Sequence, residues 1–478
     1  MKYLQRIKNS IFEINNSSGQ IGTVVIFLFL LLFCIFIGKL TALQSPILVL
    51  GLVGGLIISL ILLFNTDLAL SILIVSMIFS PEIPLAQLTH RAVVMRIEDF
   101  LIIFMFFTWL VKTTINKELG LIRHTPINLP MMAYILVCII STGLAISAGY
   151  VSLAGSFFYV LKYVEYFMLF FMVSNNIRSK EQVKIFIVIL LITCLFTCIY
   201  AFVTPHLYRT GRASAPFEGP AGEPNTLGGY LVLLFPIATG LFLYSSSRSW
   251  RFFCLALACF IFIILVLTLS RSSYVAFIIL YLTIVFFSRR KKLLLVGILI
   301  LGIFLLPVML PRTVINRVTS TFIPGTVYRP LGQEIALESS PASRIERWKI
   351  IINKLVERPL LGYGVTGVGL VDSQYALVLG EVGIIGFLIF IWLIIMIISC
   401  ALRNLHNIED DFAQGLSLGF FAGFIGLLIH SFGANTFIII RIMEPFWFIA
   451  AVAMSLPRLF IPLEQTKIQP ESRLRQSY

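Results

Sequence analysis

The chain has 478 residues, of which 59% are hydrophobic and only 12% charged, with a mean hydropathy of +0.98. A soluble domain carries about 25% charged residues, so the composition excludes an ordinary soluble globule and points to an all-α, polytopic helix bundle in lipid. The net charge of +14 points to basic cytoplasmic loops and to an anionic ligand.

A span needs about 20 apolar residues. The sequence predicts about fourteen, at 21–38, 46–64, 67–80, 99–115, 129–148, 151–173, 184–203, 226–246, 251–269, 272–287, 293–310, 373–399, 412–430 and 442–457. The third and tenth are short, and twelve spans is the alternative count. The first run follows a polar segment with no small-residue cleavage site, so it is expected to be a span and not a signal peptide. With Lys2, Arg6 and Lys8 placed inside, the short basic loops fall on that same side. They hold Lys112, Lys117 and Arg123; Arg178, Lys180 and Lys184; Arg248 and Arg251; and Arg289 to Lys292. The tail with Arg458, Lys467, Arg473 and Arg475 joins them. Both ends are therefore expected in the cytoplasm.

Three parts are expected: residues 1–225 with the first spans and an external loop, residues 226–460 with a second set of spans and the external loop 311–372, and a tail, 461–478. The seven cysteines lie in or beside apolar runs, without metal spacing or a disulfide pattern, and read as core residues. No Walker loop, dinucleotide fingerprint or zinc motif occurs. Neither a cofactor nor a metal is expected, and nothing points to nucleic acid.

The outer side receives Thr204–Asn225, the junction LTLSRSS around Arg271, and the loop from Pro311 to Val371. That loop is basic although long loops are exempt from the charge rule. Within it, Ser343 and Glu346 have the form of a capping box, predicting a helix from Ser343 to about Glu357 that stops before Pro359. Ile345, Trp348, Ile352 and Leu355 fall on one face, as in an amphipathic helix lying on a bilayer or over the bundle mouth.

Candidate residues cluster in these outer segments. Arg344 and Arg347, one turn apart, could grip phosphate oxygens, or anchor to lipid headgroups. Arg271 stands between two apolar runs, where an arginine is costly unless it is paired or faces a cavity. Arg212, Glu218, Glu223 and Asn225 could line a polar pocket. Arg441 and Glu444, at i and i+3, can pair with each other or contact a ligand. Lys162 and Glu165 read as a buried pair fixing helix packing. Asp372 lies at the outer lip, with Tyr375 expected on its face, and is a candidate base; His430 is the second. Glu381 reads as a packing polar group, and Gly380, Gly383 and Gly386 as letting another helix approach.

LTLSRSSYVA, SRIERWKIII, ERPLLGYGVTGVG, YALVLGEVGIIG and RIMEPFW follow one another over residues 250 to 455. This order resembles the C-terminal domain of the O-antigen ligase/polymerase family of bacterial envelope glycosyltransferases. The resemblance implies metal-independent transfer on the outer face of the cytoplasmic (inner) membrane. The donor would be a polyprenyl-pyrophosphate-linked oligosaccharide and the acceptor a glycan hydroxyl. Arg271 matches the family's short-junction arginine, and Arg344 or Arg347 its loop-helix arginine. Asp372-Ser373-Gln374 departs from the family, whose ligases usually carry histidine here, and this favours a polymerase of an exported polysaccharide. A ligase acting on lipid A core is one alternative, and a transporter of an anion or lipid-linked sugar the other. A flippase and a chain-length regulator are the partner proteins such a polymerase would have.

Overall fold

The computed structural model describes residues 65–87, 92–115, 123–218, 222–309, 312–319, 341–369 and 371–461. The chain divides into two compact units, Met1–Asn65 and Thr66–Tyr478, and the fold described below is that of the second. The two spans expected at 21–38 and 46–64, the cysteine at position 34 and the tail beyond residue 461 lie outside the described residues.

Each of the twelve other expected spans is a helix. They are α1 (Thr66–Phe79), α2 (Ile97–Ile115), α3 (Asn128–Ser147), α4 (Leu153–Asn176), α5 (Lys180–Val203), α7 (Pro224–Tyr244), α8 (Arg248–Leu267), α9 (Arg271–Phe287), α10 (Lys292–Met309), α13 (Gln374–Asn407), α14 (Asp411–His430) and α15 (Ile440–Phe460). Among the described residues eight of these are long and apolar enough to cross a membrane, while α1, α9 and α10 are shorter apolar helices. The shorter elements are α6 (Pro205–Thr210), α11 (Arg312–Thr319) and α12 (Pro341–Glu357). The chain is thus an all-α integral membrane bundle.

One element was not expected: a short antiparallel hairpin, β1 (Glu82–Gln87) with β2 (Ala92–Arg96), irregular between Pro84 and Ala86. Proline has no N–H for the ladder, so an irregularity beside Pro84 is where a strand tolerates one.

The centre of the bundle is α7, almost wholly buried, with α14 and α15 next to it. Its backbone lies directly on α14. A methyl group added to Gly415, Gly419 or Gly423 would come within 3 Å of main-chain atoms of α7, and one added to Gly240 would strike Gly415. In lipid, helices associate through such close packing and not through hydrophobic exclusion, and the G-x-x-x-G-x-x-x-G row supplies the flat face.

Two expectations are corrected here. The helix of the long loop begins at Pro341, two residues before Ser343, because proline suits the first helical position, where its missing N–H costs nothing. Of its apolar residues Ile351 is buried and Trp348 and Leu355 are half-buried, while Ile352 is exposed. Among the described cysteines five are buried, but Cys259 is exposed on α8.

Candidate functional site

The segment Gln374–Asn407 contains a break. Gly383 has φ 67° and ψ −167°, which splits α13 into a short head and a segment of 24 residues. That second segment, about 36 Å long, is sufficient to span a bilayer. The break is occupied by the glycine-rich turn that precedes the helix. Tyr363 and Gly364 donate their N–H groups to the carbonyls of Gly380 and Glu381, and Ile384 and Ile385 donate theirs to Pro359 and Leu360. The Glu381 carboxylate accepts from the N–H of Thr366 at 2.7 Å, and Ser141 of α3 donates to the carbonyls of Leu361 and Glu381. One of the three glycines thus admits a turn and not a helix: a side chain at Gly383 would strike Leu360, whereas one at Gly380 would strike Val368 of the turn and crowd Ile351 of helix α12. The turn thereby fixes the direction of the head of α13.

At that end of the bundle the N-termini of α7, α9, α13 and α15 converge. Gly228 packs against Ser270 and Ser273, and Gly229 against His430 and Ile442. Gln374 N–H donates to Ser431 O at 2.9 Å, and the Gln374 side-chain oxygen accepts from Phe437 N–H at 3.0 Å. Each helix N-terminus carries a partial positive charge, so the four together favour an anion.

Arg271 is the first residue of α9, capped by Ser270, whose side chain accepts from Ser273 N–H. A cation there opposes the helix dipole; the position is unfavourable for stability and useful for holding a negative ligand. Arg271 is half-buried, between the buried Ser270 and Ser272, whose hydroxyls lie 3.1 Å apart. Arg212 is also half-buried and reaches the same junction, donating from Nε to Thr268 O at 3.1 Å.

Arg441 is 1% exposed and serves as a clamp. Its guanidinium donates to the carbonyls of Ile78, Ser80 and Phe217, and its Nε lies 3.9 Å from Glu218. Glu218 in turn accepts from Ser214 Oγ at 2.8 Å and from Glu223 N–H at 3.0 Å. Burial pushes the Glu218 carboxyl up to about 7 against the opposing pull of Ser214 and Arg441. Glu223 caps α7, accepts from Thr226 Oγ1 at 3.0 Å and is exposed, as is Asn225.

Asp372 precedes α13 and is half-buried, while Ser373 is the cap residue. Tyr375 therefore does not share a helical face with Asp372; its hydroxyl donates to Leu428 O at 2.8 Å, and its ring packs on Phe432. His430 is 0% exposed, with Nδ1 2.8 Å from Thr436 Oγ1. Of the two candidate bases, Asp372 alone has surface on the mouth. A narrow aromatic-lined cleft of about 20 Å³, room for about one water molecule, lies among Tyr134, Tyr163, Tyr166, Phe390, Phe437 and Trp447.

Helix α12 packs along the head of α13, where Ile351, Val371, Ala376 and Leu377 form a cluster with Trp348, Val368 and Ile438. Arg344 and Arg347 lie two turns and one turn before Ile351 on this helix; their side chains lie outside the described residues. The sequence reading missed the serines beside Arg271 as a group, Thr436 as the partner of His430, and the acids Glu98 and Asp99. The last two carried a signal, two acids heading an apolar run.

No curated protein matches the chain significantly. The family model described as O-antigen ligase matches residues 255–391. That stretch, under a third of the chain, includes Arg271, α12, the glycine-rich turn, Asp372 and the break in α13, and over it the chain is similar to O-antigen ligases.

Proposed function

We propose that this membrane glycosyltransferase of O-antigen ligase/polymerase type joins polyprenyl-pyrophosphate-linked glycan units as a polysaccharide polymerase on the outer face of the cytoplasmic membrane. The observation that carries the reading is the gathering of Arg271, Arg212 and four helix N-termini around one mouth that also presents Asp372. A pyrophosphate leaving group needs positive charge fixed in place before the reaction, and a mouth built this way supplies it without reorganisation.

In the proposed step the acceptor hydroxyl attacks the anomeric carbon of the donor glycan. A glycosidic C–O bond forms as the bond from that carbon to the pyrophosphate oxygen breaks, and the electron pair stays on the pyrophosphate. Asp372 takes the hydroxyl proton. Arg271, the α9 N-terminus and the loop-helix arginines Arg344 and Arg347 bear the developing charge. Arg441, Glu218, Tyr375 and His430 hold the mouth in shape, while Glu223 and Asn225 line its rim. No metal takes part in the transfer. The even alternation of basic short loops supports both ends in the cytoplasm, with a flippase and a chain-length regulator as companions.

The test is transfer by the purified chain in proteoliposomes, given a defined polyprenyl-pyrophosphate oligosaccharide alone or with lipid A core. A ladder of products from the donor alone supports the polymerase. A single product on lipid A core would make the chain a ligase, the reading that Asp372 in place of a histidine disfavours. Flux of the donor without any new bond would refute transfer altogether.

A further inference from the structure

Six ionisable side chains meet inside the bundle beneath Arg441. Glu98 and Asp99 stand in the first turn of α2, Glu165 and Lys162 on α4, Glu444 on α15 and Arg96 at the end of β2. Lys162 Nζ donates to Asp99 at 2.5 Å and to Glu165 at 2.7 Å, and Arg96 lies 3.7 Å from Glu98. Two cations against four carboxylates leave the ionised set at a net charge of 2 − 4 = −2. Two uncompensated buried charges are far too costly to hold in the folded state.

A separate observation points to what completes the set. Glu444 comes from another helix, is 0% exposed, and reaches Glu98 and Asp99; neither of its carboxylate oxygens accepts a hydrogen bond among the described residues. One oxygen from each of Glu98, Asp99 and Glu444 lies within 4.8 Å of the other two. Three points so spaced share a centre no more than about 2.8 Å from each, close to the 2.3–2.6 Å of calcium–oxygen bonds and looser than the 2.0–2.1 Å magnesium demands. A hard divalent ion takes oxygen ligands, and its charge brings the net −2 to zero.

We propose that Glu98, Asp99 and Glu444 bind a divalent cation, calcium by size, which ties α2 to the head of α15. Through Lys162 the site also holds α4, and because Glu444 lies one turn from Arg441, the ion steadies the clamp on Glu218. Its role is structural, apart from the transfer chemistry.

The experiment uses the full-length chain purified in detergent after chelation. Radioactive calcium binding and thermal unfolding are measured at neutral pH with calcium, with magnesium or with neither. The expected result is one calcium bound per chain, a rise in melting temperature larger with calcium than with magnesium, and loss of both in Glu444→Gln. Wild-type protein that binds no calcium would overturn the proposal, as would Glu444→Gln binding calcium as wild type does. Stability insensitive to both ions that rises as pH falls would show protons in the ion's place and overturn it too. Should Glu444→Gln fail to fold, Glu98→Gln serves, and the wild-type binding measurement needs no variant. No glycan transfer is read, so failure here leaves the polymerase reading standing.

Discussion

Replacing Gly383 by alanine tests the broken helix and the turn that fills it. The backbone at Gly383, φ 67° and ψ −167°, lies in a region only glycine occupies readily, at a cost of about 1–3 kcal/mol to another residue. The new methyl would stand 2.4 Å from the Leu360 carbonyl oxygen, so the turn must withdraw. Withdrawal exposes four main-chain hydrogen bonds, Tyr363 to Gly380, Gly364 to Glu381, Ile384 to Pro359 and Ile385 to Leu360. At about 0.5–1.5 kcal/mol each they add about 2–6 kcal/mol, giving a total of about 3–9 kcal/mol. Glycan transfer should fall with stability, because the head of α13 carries Asp372 into the mouth. The assay is thermal unfolding in detergent together with hydrogen exchange over residues 359–366. Gly297→Ala is the control: it sits in a helix with nothing within 4 Å of the added carbon, where alanine is favoured over glycine by about 1 kcal/mol. If Gly383→Ala melts with the wild type and the turn keeps its protection, the account of the break is wrong.

Arg271→Ala should insert and fold yet lose about 10²–10³-fold in transfer rate, the range for removing one preorganised group that stabilises developing charge; steady-state rates in proteoliposomes check this. Asp372→Asn should lose about 10²–10⁴-fold, with Asp372→His keeping part of the activity, and a wild-type rate in the asparagine variant would remove Asp372 as the base. Glu218→Gln should change how stability responds to pH. The Glu218 carboxyl stands at about 7 against an ordinary 4.5, so between these values the folded state keeps a proton that the unfolded state has lost. Native stability therefore falls as pH rises from 4.5 through about 7, by up to roughly 3 kcal/mol for a shift of about 2.5 units. Melting curves of the variant minus wild type should show that slope, with the variant gaining toward high pH.

The sequence by itself determined the twelve apolar helices found at its expected spans, since a chain in lipid must satisfy its hydrogen bonds within each helix and so writes every span as a run of apolar residues. It also determined that Lys162 and Glu165 pair, because neighbours at i and i+3 meet on one helix face. Arg271 and Asp372 stood out because charge at the edge of such runs is rare. The tertiary structure decided what these groups face. Arg441, expected beside Glu444, reaches a loop more than two hundred residues earlier in the chain, and Glu444 turns to acids on α2. Gly383, read as a seat for a helix, is a break filled by the turn that precedes α13. Periodicity reports which face of a helix is apolar, whereas partners distant in sequence depend on which backbones come close enough to touch. That closeness was set by small residues, such as the glycine row of α14, whose meaning appears only once α7 lies against them.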